Sequence, residues 1–374
     1  MFAQSLLAIY SREKHRQTTG IVFTKGVALL KKEKTVSRAP TLEDVARAAG
    51  LSPMTVSRAL NNPRIVRPAT VARVMEAVRA TGYIPNMLAG SLASKRSRLI
   101  AVAVPQINNS MFIDTIQALS DELALRGYHI LLCVAGYTHE SETDIVATIL
   151  SRRPDGIVLT GIHHSAELKK IIINADIPAI EIWDLTPTPL DMLVGFSHEK
   201  IGEAIGHYVV KKGYRHAGLL WAGDNRAARR KQGVLEIMQQ HPAIAISEAT
   251  VPLPAMLSSG REGMKRLLAQ DAQPDIIVCS SDTLAQGAIM EAESQGWQVP
   301  ADVAVMGFGD LNFAAFNKPA ITTVSVDRWR IGQQAAAMLA DKIAGKTIEQ
   351  PVLDIGFSLI ERESTQDGNQ RVRG

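Results

Sequence analysis

At 374 residues, 46% hydrophobic and 21% charged, the chain is too long for one ordinary core and has a globular composition. Its two cysteines, Cys133 and Cys279, lie far apart in apolar runs, which argues against a disulfide framework and for a reducing compartment, and no apolar run approaches the ~20 residues that would cross a bilayer. The formal charge of +4 hides an asymmetry: residues 1–98 carry 17 Lys and Arg against 5 Asp and Glu, a net of +12, and the remainder carries 24 against 32, a net of −8. A basic head on an acidic body is the pattern of a polyanion-binding module joined to a sensing domain.

Near the N-terminus the apolar stretches 6–9, 21–23 and 27–30 are short and broken by Arg12, Lys14, His15, Arg16 and Lys25, so no secretory signal is expected. Residues 1–38 show no sustained period and read as a disordered basic extension or an over-long gene model. From residue 41 the pattern becomes helical. Thr41 caps a helix whose Glu43 and Asp44 favour its positive end, and Leu42, Val45, Ala46 and Ala49 form one apolar face. Gly50 stops it, and Ser52-Pro53 restarts a second helix, with Ser52 as N-cap and Pro53 at the first helical position. Val56, Ala59 and Leu60 give that helix its inward face, while Met54, Thr55, Ser57 and Arg58 point away. A third helix follows Pro68, with Val71, Val74 and Val78 inside, and ends near Gly82 before Pro85. Two short helices joined by a tight glycine turn predict an all-α helix-turn-helix domain over 39–85. A hinge helix or linker is placed at 86–97. Residues 86–94 are too few for a stable isolated helix and Gly90 weakens it further, so folding on DNA, paired across a dimer, is expected.

The blocks Leu42-Glu-Asp-Val-Ala46, Thr55-Val-Ser-Arg58, Asn61, Gly82-Tyr-Ile-Pro-Asn86 and Leu92-Ala93, in that order, resemble the head and hinge of the lac repressor (LacI) family. The resemblance implies DNA contacts by Thr41, Ser52, Pro53, Met54, Thr55, Ser57, Arg58, Asn61, Tyr83, Asn86, Ala89 and Leu92. Arg58 suits a bidentate contact to guanine in the major groove, and Thr55, Ser57 and Asn61 can reach phosphates or base edges. Pro53 and Met54 occupy the base-reading positions that the resemblance implies and offer no side-chain hydrogen bond. Discrimination there must be apolar, such as contact with a thymine methyl. Leu92 matches the family's wedge, which enters the minor groove and unstacks a base step.

From residue 99 short apolar strands, at 99–104, 128–134, 156–159, 179–182, 217–220 and 276–279, alternate with helices at 112–126, 141–151, 166–174, 201–212, 229–240 and 284–294. The alternation predicts doubly wound parallel sheets, and its length predicts two. No Walker loop, dinucleotide glycine motif, nucleophile elbow or His/Cys metal spacing occurs, so neither an enzyme nor a cofactor or metal site is expected. His163-His164 reads as a solvated loop pair, and Trp183 and Trp297 as packing.

The family resemblance continues to about Glu361 through Arg153-Pro-Asp-Gly-Ile-Val158, Phe196-Ser-His-Glu199, Lys212-Gly-Tyr-Arg-His216, Ser281-Asp282 and Ile321-Thr-Thr-Val324. It implies an α/β two-lobed periplasmic-binding-protein-like core over 98–363. The N-lobe would span about 98–196 and 325–351, the C-lobe about 197–324 and 352–363, and 364–374 would be a disordered tail. Ligand would sit between the lobes at strand C-termini, and lobe closure would change the spacing of two heads. Arg230, three before Gly233, matches the family's effector-binding arginine, and Asp184 a polar cleft residue. Gln106, Asn108 or Asn109, and Phe112 are expected to contribute from the loop after the first strand, with Ser281, Asp282 and Asp310.

Where many members carry an aspartate after Gly-aromatic, this chain has Gly309 and then Asp310. With Met54-Thr-Val-Ser-Arg58, Glu181-Ile-Trp-Asp184, Val194-Gly-Phe196 and Asp354-Ile-Gly-Phe357, it most resembles the gluconate-repressor branch. Arg226, Arg229 and Arg230 near the cleft would suit a carboxylate through bidentate pairing. The implied protein is a cytoplasmic homodimer that represses a sugar-acid operon. It would leave its double-stranded operator when gluconate, or a phosphorylated or keto derivative, closes the cleft. The alternatives are a neutral sugar or purine nucleoside as effector, or a two-lobed solute-binding protein with no regulatory role. The last lacks an export signal and a use for the helix-turn-helix.

Overall fold

The computed structural model describes residues 38–84, 96–107, 110–270 and 272–366; Asn86, Ala89, Leu92, Asn108 and Asn109 lie outside the described residues. The chain divides into two compact units between Asn86 and Met87. In the first, α1 (Leu42–Ala49), α2 (Pro53–Asn61) and α3 (Pro68–Thr81) enclose a small core of Val45, Ala46, Ala49, Val56, Ala59, Val74 and Ala77. The turn between α1 and α2 depends on Gly50 at φ +59, where a Cβ would also fall 2.7 Å from Arg73 Nη2. Ser52 Oγ accepts from the Thr55 amide at 3.2 Å and caps α2. At the start of α1 the Thr41 amide and hydroxyl donate to Asp44 Oδ2, at 2.9 and 2.8 Å, and these bonds hold Asp44 below the ordinary carboxylate range.

The second unit contains two parallel sheets. In the first lobe β1 (Leu99–Val104), β2 (His129–Val134), β3 (Gly156–Thr160), β4 (Ala179–Ile182), β5 (Met192–Gly195) and β11 (Val352–Asp354) lie in the order β11-β5-β4-β3-β1-β2. They pack with α4 (Ile113–Leu125), α5 (His139–Leu150), α6 (Ala166–Ala175) and α11 (Arg328–Ile343). In the second lobe β6 (His216–Ala222), β7 (Ala245–Val251), β8 (Ile276–Cys279) and β9 (Ala304–Met306) run in the order β7-β6-β8-β9. Their helices are α7 (His198–Lys212), α8 (Asn225–Gln239), α9 (Leu257–Leu268) and α10 (Asp282–Ser294). β10 (Thr323–Ser325) and β12 (Ser358–Ile360) pair antiparallel. The central strands are covered on both faces, which is why β1 and β8 are continuous apolar runs. Among the described residues no helix is long and apolar enough to cross a membrane.

Three boundaries differ from the sequence expectation. β11, expected in the C-lobe, pairs with residues 193–195 at the edge of the first sheet, so the chain leaves that sheet only after Asp354. Ser97, placed in the hinge, is fixed to the body by its amide and hydroxyl on Asp155 Oδ1, at 2.7 and 3.0 Å. Ser364 and Thr365, expected in a disordered tail, are buried. Ser364 Oγ donates to the Val305 carbonyl at 2.6 Å, and Thr365 Oγ1 meets the Tyr208 hydroxyl at 2.7 Å. Their polarity reads as solvent-seeking in the sequence, but the fold supplies buried partners.

Candidate functional site

Because Val56 and Ala59 face the head core, Met54, Ser57, Arg58 and Asn61 share the other side of α2 at i, i+3, i+4 and i+7. Met54 is 70% exposed, and Asn61 Nδ2 donates to Ser57 Oγ at 3.3 Å. Arg58 is exposed and pairs with no carboxylate among the described residues, so its guanidinium is free to meet a phosphate or a base edge. At the amino end Pro53 is exposed and the Ser52 and Thr55 hydroxyls are 2.8 Å apart. Tyr83 is half-buried against the head core, and Thr41 is committed to Asp44.

In the second unit the carboxyl ends of both sheets border a cleft with two chambers. The inner one, about 50 Å³, is lined by Gln106, Phe112, Trp183, His198, Arg230, Ser281 and Phe308. The outer one, about 180 Å³, is lined by Glu142, Thr160, His163 and Asp184. Tyr137, Asp224, Arg226 and Leu253 border both. Trp183 leaves β4 at φ +68, beside Gly195, where a Cβ would lie 1.9 Å from the Asp184 carbonyl. A glycine at 195 permits the close approach that seats Trp183 and Asp184. The Trp183 ring meets Phe112 and Phe196 edge-on, at 5.1 and 5.7 Å, and its Nε1 donates to Thr115 Oγ1 at 3.1 Å.

Arg230 is 4% exposed and lies 3.9 Å from the centre of the Phe308 ring. Its Nη1 donates to His198 Nδ1 at 3.0 Å and its Nη2 to the Ser280 carbonyl at 2.9 Å. An arginine can only donate, so Nδ1 is the bare nitrogen of a neutral His198, whose Nε2 then donates to the Trp183 carbonyl at 3.0 Å. Burial, reinforced by the Arg230 charge, holds His198 well below the usual histidine range. Burial also pushes Arg230 down to about 10, still charged at neutral pH. Arg226 lies over the Phe112 ring at 5.3 Å and 3.8 Å from Asp224, whose Oδ1 caps α8 through the Ala227 amide.

Asp184 is fully buried. Its Oδ1 accepts from Arg229 Nη1 at 2.7 Å and from the Leu185 amide at 2.8 Å, and Arg229 Nη2 also pairs with Glu199 at 2.9 Å. Burial raises Asp184, while the Arg229 charge opposes the rise. Asp184 lies in the bend after β4 of the first lobe and Arg229 sits on α8 of the second, so this pair ties the lobes together. Among the described residues two buried side-chain polar atoms have no hydrogen-bond partner, Asp184 Oδ2 and Arg230 Nε, and both belong to the cleft.

The structure therefore brings Gln106, Phe112, Asp184, Arg226, Arg230 and Ser281 together, but not Asp282 and Asp310. Asp282 accepts from the Thr323 hydroxyl at 2.6 Å and the Leu311 amide at 2.7 Å, using both oxygens to anchor the 307–311 loop. Burial pushes it up to about 6. Asp310 Oδ1 pairs with Arg362 Nη2 at 2.7 Å beside a separate cavity that includes Asp114 and Arg328. His164, expected to be solvated, is buried with Nδ1 2.9 Å from Glu142 and Nε2 3.0 Å from the Gly161 carbonyl. The sequence reading missed His198 and Phe308. His198 stood inside the quoted Phe196–Glu199 block and Phe308 is the aromatic before Gly309, but their contacts are tertiary. Arg229, expected with Arg226 and Arg230 to suit a ligand carboxylate, is instead taken by the protein carboxylates Asp184 and Glu199.

The description "Bacterial regulatory proteins, lacI family" matches residues 41–86, and a periplasmic binding protein-like domain matches 207–365. The chain is 35% identical over 340 residues to the HTH-type transcriptional regulator GntR of Pseudomonas aeruginosa, covering 90% of this chain and 98% of that protein. A LacI-family transcriptional regulator from Silicibacter pomeroyi superposes with a TM-score of 0.82 at 29% identity, over 87% of this chain and 99% of that one. The transcription regulator GntR from Chromobacterium violaceum gives a TM-score of 0.69 at 30% identity, over 72% and 99%. With a helix-turn-helix head and a cleft between two parallel sheets, the chain belongs to the lacI family of bacterial regulatory proteins and is a DNA-binding transcriptional regulator, not an enzyme.

Proposed function

We propose that the protein is a cytoplasmic homodimeric repressor of a sugar-acid operon, with gluconate or a phosphorylated or keto derivative as its effector. The observation that carries the acid is the convergence of Arg226 and Arg230 in one cleft, with Arg230 Nε buried and unpartnered. A buried guanidinium with a donor to spare favours an anionic acceptor over a neutral hydroxyl. The effector would close the lobes and change how two heads are presented, releasing the operator. On DNA, Arg58 would read guanine, Thr55, Ser57 and Asn61 would hold phosphates or base edges, and Leu92 would wedge the minor groove.

Thermal-shift titration with gluconate, ketogluconates, 6-phosphogluconate, neutral hexoses and purines tests the effector class, since a ligand of the folded state raises its stability by mass action. A sugar acid should raise the melting temperature and then weaken operator binding. Stabilisation by neutral sugars or purines alone would show the acid reading to be wrong. Arg58→Ala should weaken specific operator binding by about 10- to 100-fold, read by salt-controlled titration. Unchanged specific binding would refute the assigned docking of α2.

A further inference from the structure

The two unpartnered atoms of the cleft are of opposite kinds. With Asp184 held as a carboxylate by Arg229, its Oδ2 can only accept, and Arg230 Nε can only donate. Every other polar atom of the two side chains has a partner: Asp184 Oδ1 has Arg229 and the Leu185 amide, and the Arg230 terminal nitrogens have His198 and the Ser280 carbonyl. They also stand in different chambers, Arg230 in the inner wall and Asp184 in the outer. Arg226 and Asp224 border both chambers and do not distinguish them. What distinguishes them is Arg230 inside, against Glu142 and Asp184 outside. Both outer carboxylates have a cationic partner, Asp184 in Arg229 and Glu142 in His164, so the two ends differ in what they leave unpartnered: a donor on Arg230 inside and an acceptor on Asp184 outside.

We propose that the effector lies acid end inward, its carboxylate on Arg230 Nε and Arg226 and its far-end hydroxyl donating to Asp184 Oδ2. Its class is then an aldonic acid, one carboxylate and a polyol chain, and Asp184 is the residue that rejects the corresponding diacid. This rests on the sugar-acid reading and adds orientation and selectivity to it. A second carboxylate at the outer end would meet a buried oxygen that cannot donate, with Arg229 already shared between Asp184 and Glu199. Like charges brought together where water is excluded are strongly unfavourable, and a site built to receive a hydroxyl rejects analogues that lack one.

Calorimetric titration of the full-length protein tests this with three ligands of one carbon chain: gluconate, glucarate, which is acid at both ends, and 6-deoxygluconate, which lacks the terminal hydroxyl. Wild type should bind gluconate more tightly than either of the others by about tenfold or more. Asp184→Asn keeps an acceptor but removes the charge and adds a donor, so it should raise glucarate affinity and bring it within about threefold of gluconate. If Asp184 merely supports the fold, the substitution weakens both acids together and leaves their ratio unchanged, which overturns the proposal. Equal wild-type affinity for gluconate and glucarate overturns it without any variant. Binding of neutral hexoses and of none of the acids removes the sugar-acid reading itself, and this inference with it.

Discussion

The head and the cleft hold their arginines in opposite ways. Arg58 is exposed and pairs with no carboxylate among the described residues, whereas Arg230 is 4% exposed and bound to His198, Ser280 and the Phe308 face. An exposed guanidinium meets a phosphate with little reorganisation, and its attraction is long-ranged and weakened by salt. A buried one is already part of the fold, and a ligand reaches only the donor left over. The difference teaches how one chain serves two kinds of partner. DNA is met by a solvated surface whose atoms are free beforehand. In the proposed reading, a small molecule is met by a buried hydrogen-bond network with two unpartnered atoms, and those atoms set its selectivity.

The sharpest way to break that comparison is Arg230→Ala. It leaves His198 Nδ1 and the Ser280 carbonyl without their donor, and removing one partner of a buried charged network costs about 2–5 kcal/mol. Effector binding by calorimetry should fall by two orders of magnitude or more, roughly the fold-change those energies imply. Operator affinity without effector should be unchanged, giving a protein that no longer responds. Parallel loss of both would show that the cleft network also maintains the head's function, and the two regions would not be separate readers.

A second effect is confined to the body. Both ring nitrogens of His164 face oxygen acceptors, on Glu142, Gly161 and Glu181. Burial alone would lower its pKa, but the bonds from Glu142 and Glu181 outweigh it and push it up to about 9, against an ordinary 6.5. The folded state therefore binds the proton more tightly than the unfolded chain. The stabilisation is complete below about pH 6.5 and is lost as pH rises through 9. Thermal unfolding of wild type should weaken between pH 7 and pH 9.5 more steeply than that of His164→Gln. Parallel pH curves would show that the His164 cluster is not charged. Residues 38–84 contain no histidine, so the head has no counterpart of this titration.

The same division explains how much the sequence revealed. The head is built from signals a few residues apart, a cap, a glycine turn and an apolar face, so α1, α2 and α3 were all legible. In the body, β1, β4 and β8 coincide with expected strands because buried parallel strands are unbroken apolar runs. The edge strand β7 was not expected, since five of its seven residues are exposed or intermediate and include Ser247 and Glu248. Nor was α9, which contains Gly260 and Gly263. A Cβ at Gly260 would fall 2.4 Å from the Leu284 carbonyl, so this helix survives poor propensity through its packing on α10. The cleft residues were mostly nameable, but which of their atoms are free depends on partners such as Arg229, 45 residues from Asp184. Asp282 and Asp310 show the converse: suitable residues in a suitable turn, consumed by Thr323, Leu311 and Arg362.

The smallest expected effect returns to the head and tests whether its free surface carries information beyond charge. Met54 is 70% exposed at the amino end of α2, beside Pro53, which has no side-chain donor or acceptor. A flexible thioether chain there can cover a thymine methyl, and burying one such group is worth about 0.8 kcal/mol, roughly a fourfold change in affinity. Replacing thymine by uracil, one symmetric operator position at a time, removes only that methyl and leaves the hydrogen-bonding edge intact. Wild type should lose about fourfold at one position of each half-site, and Met54→Ala should lose nothing further there, because the contact is already gone. Both proteins should unfold at the same temperature, since the side chain supports no core. If no uracil substitution separates wild type from Met54→Ala, the head reads sequence through Arg58 and its polar neighbours alone, and the apolar end of α2 contributes only shape.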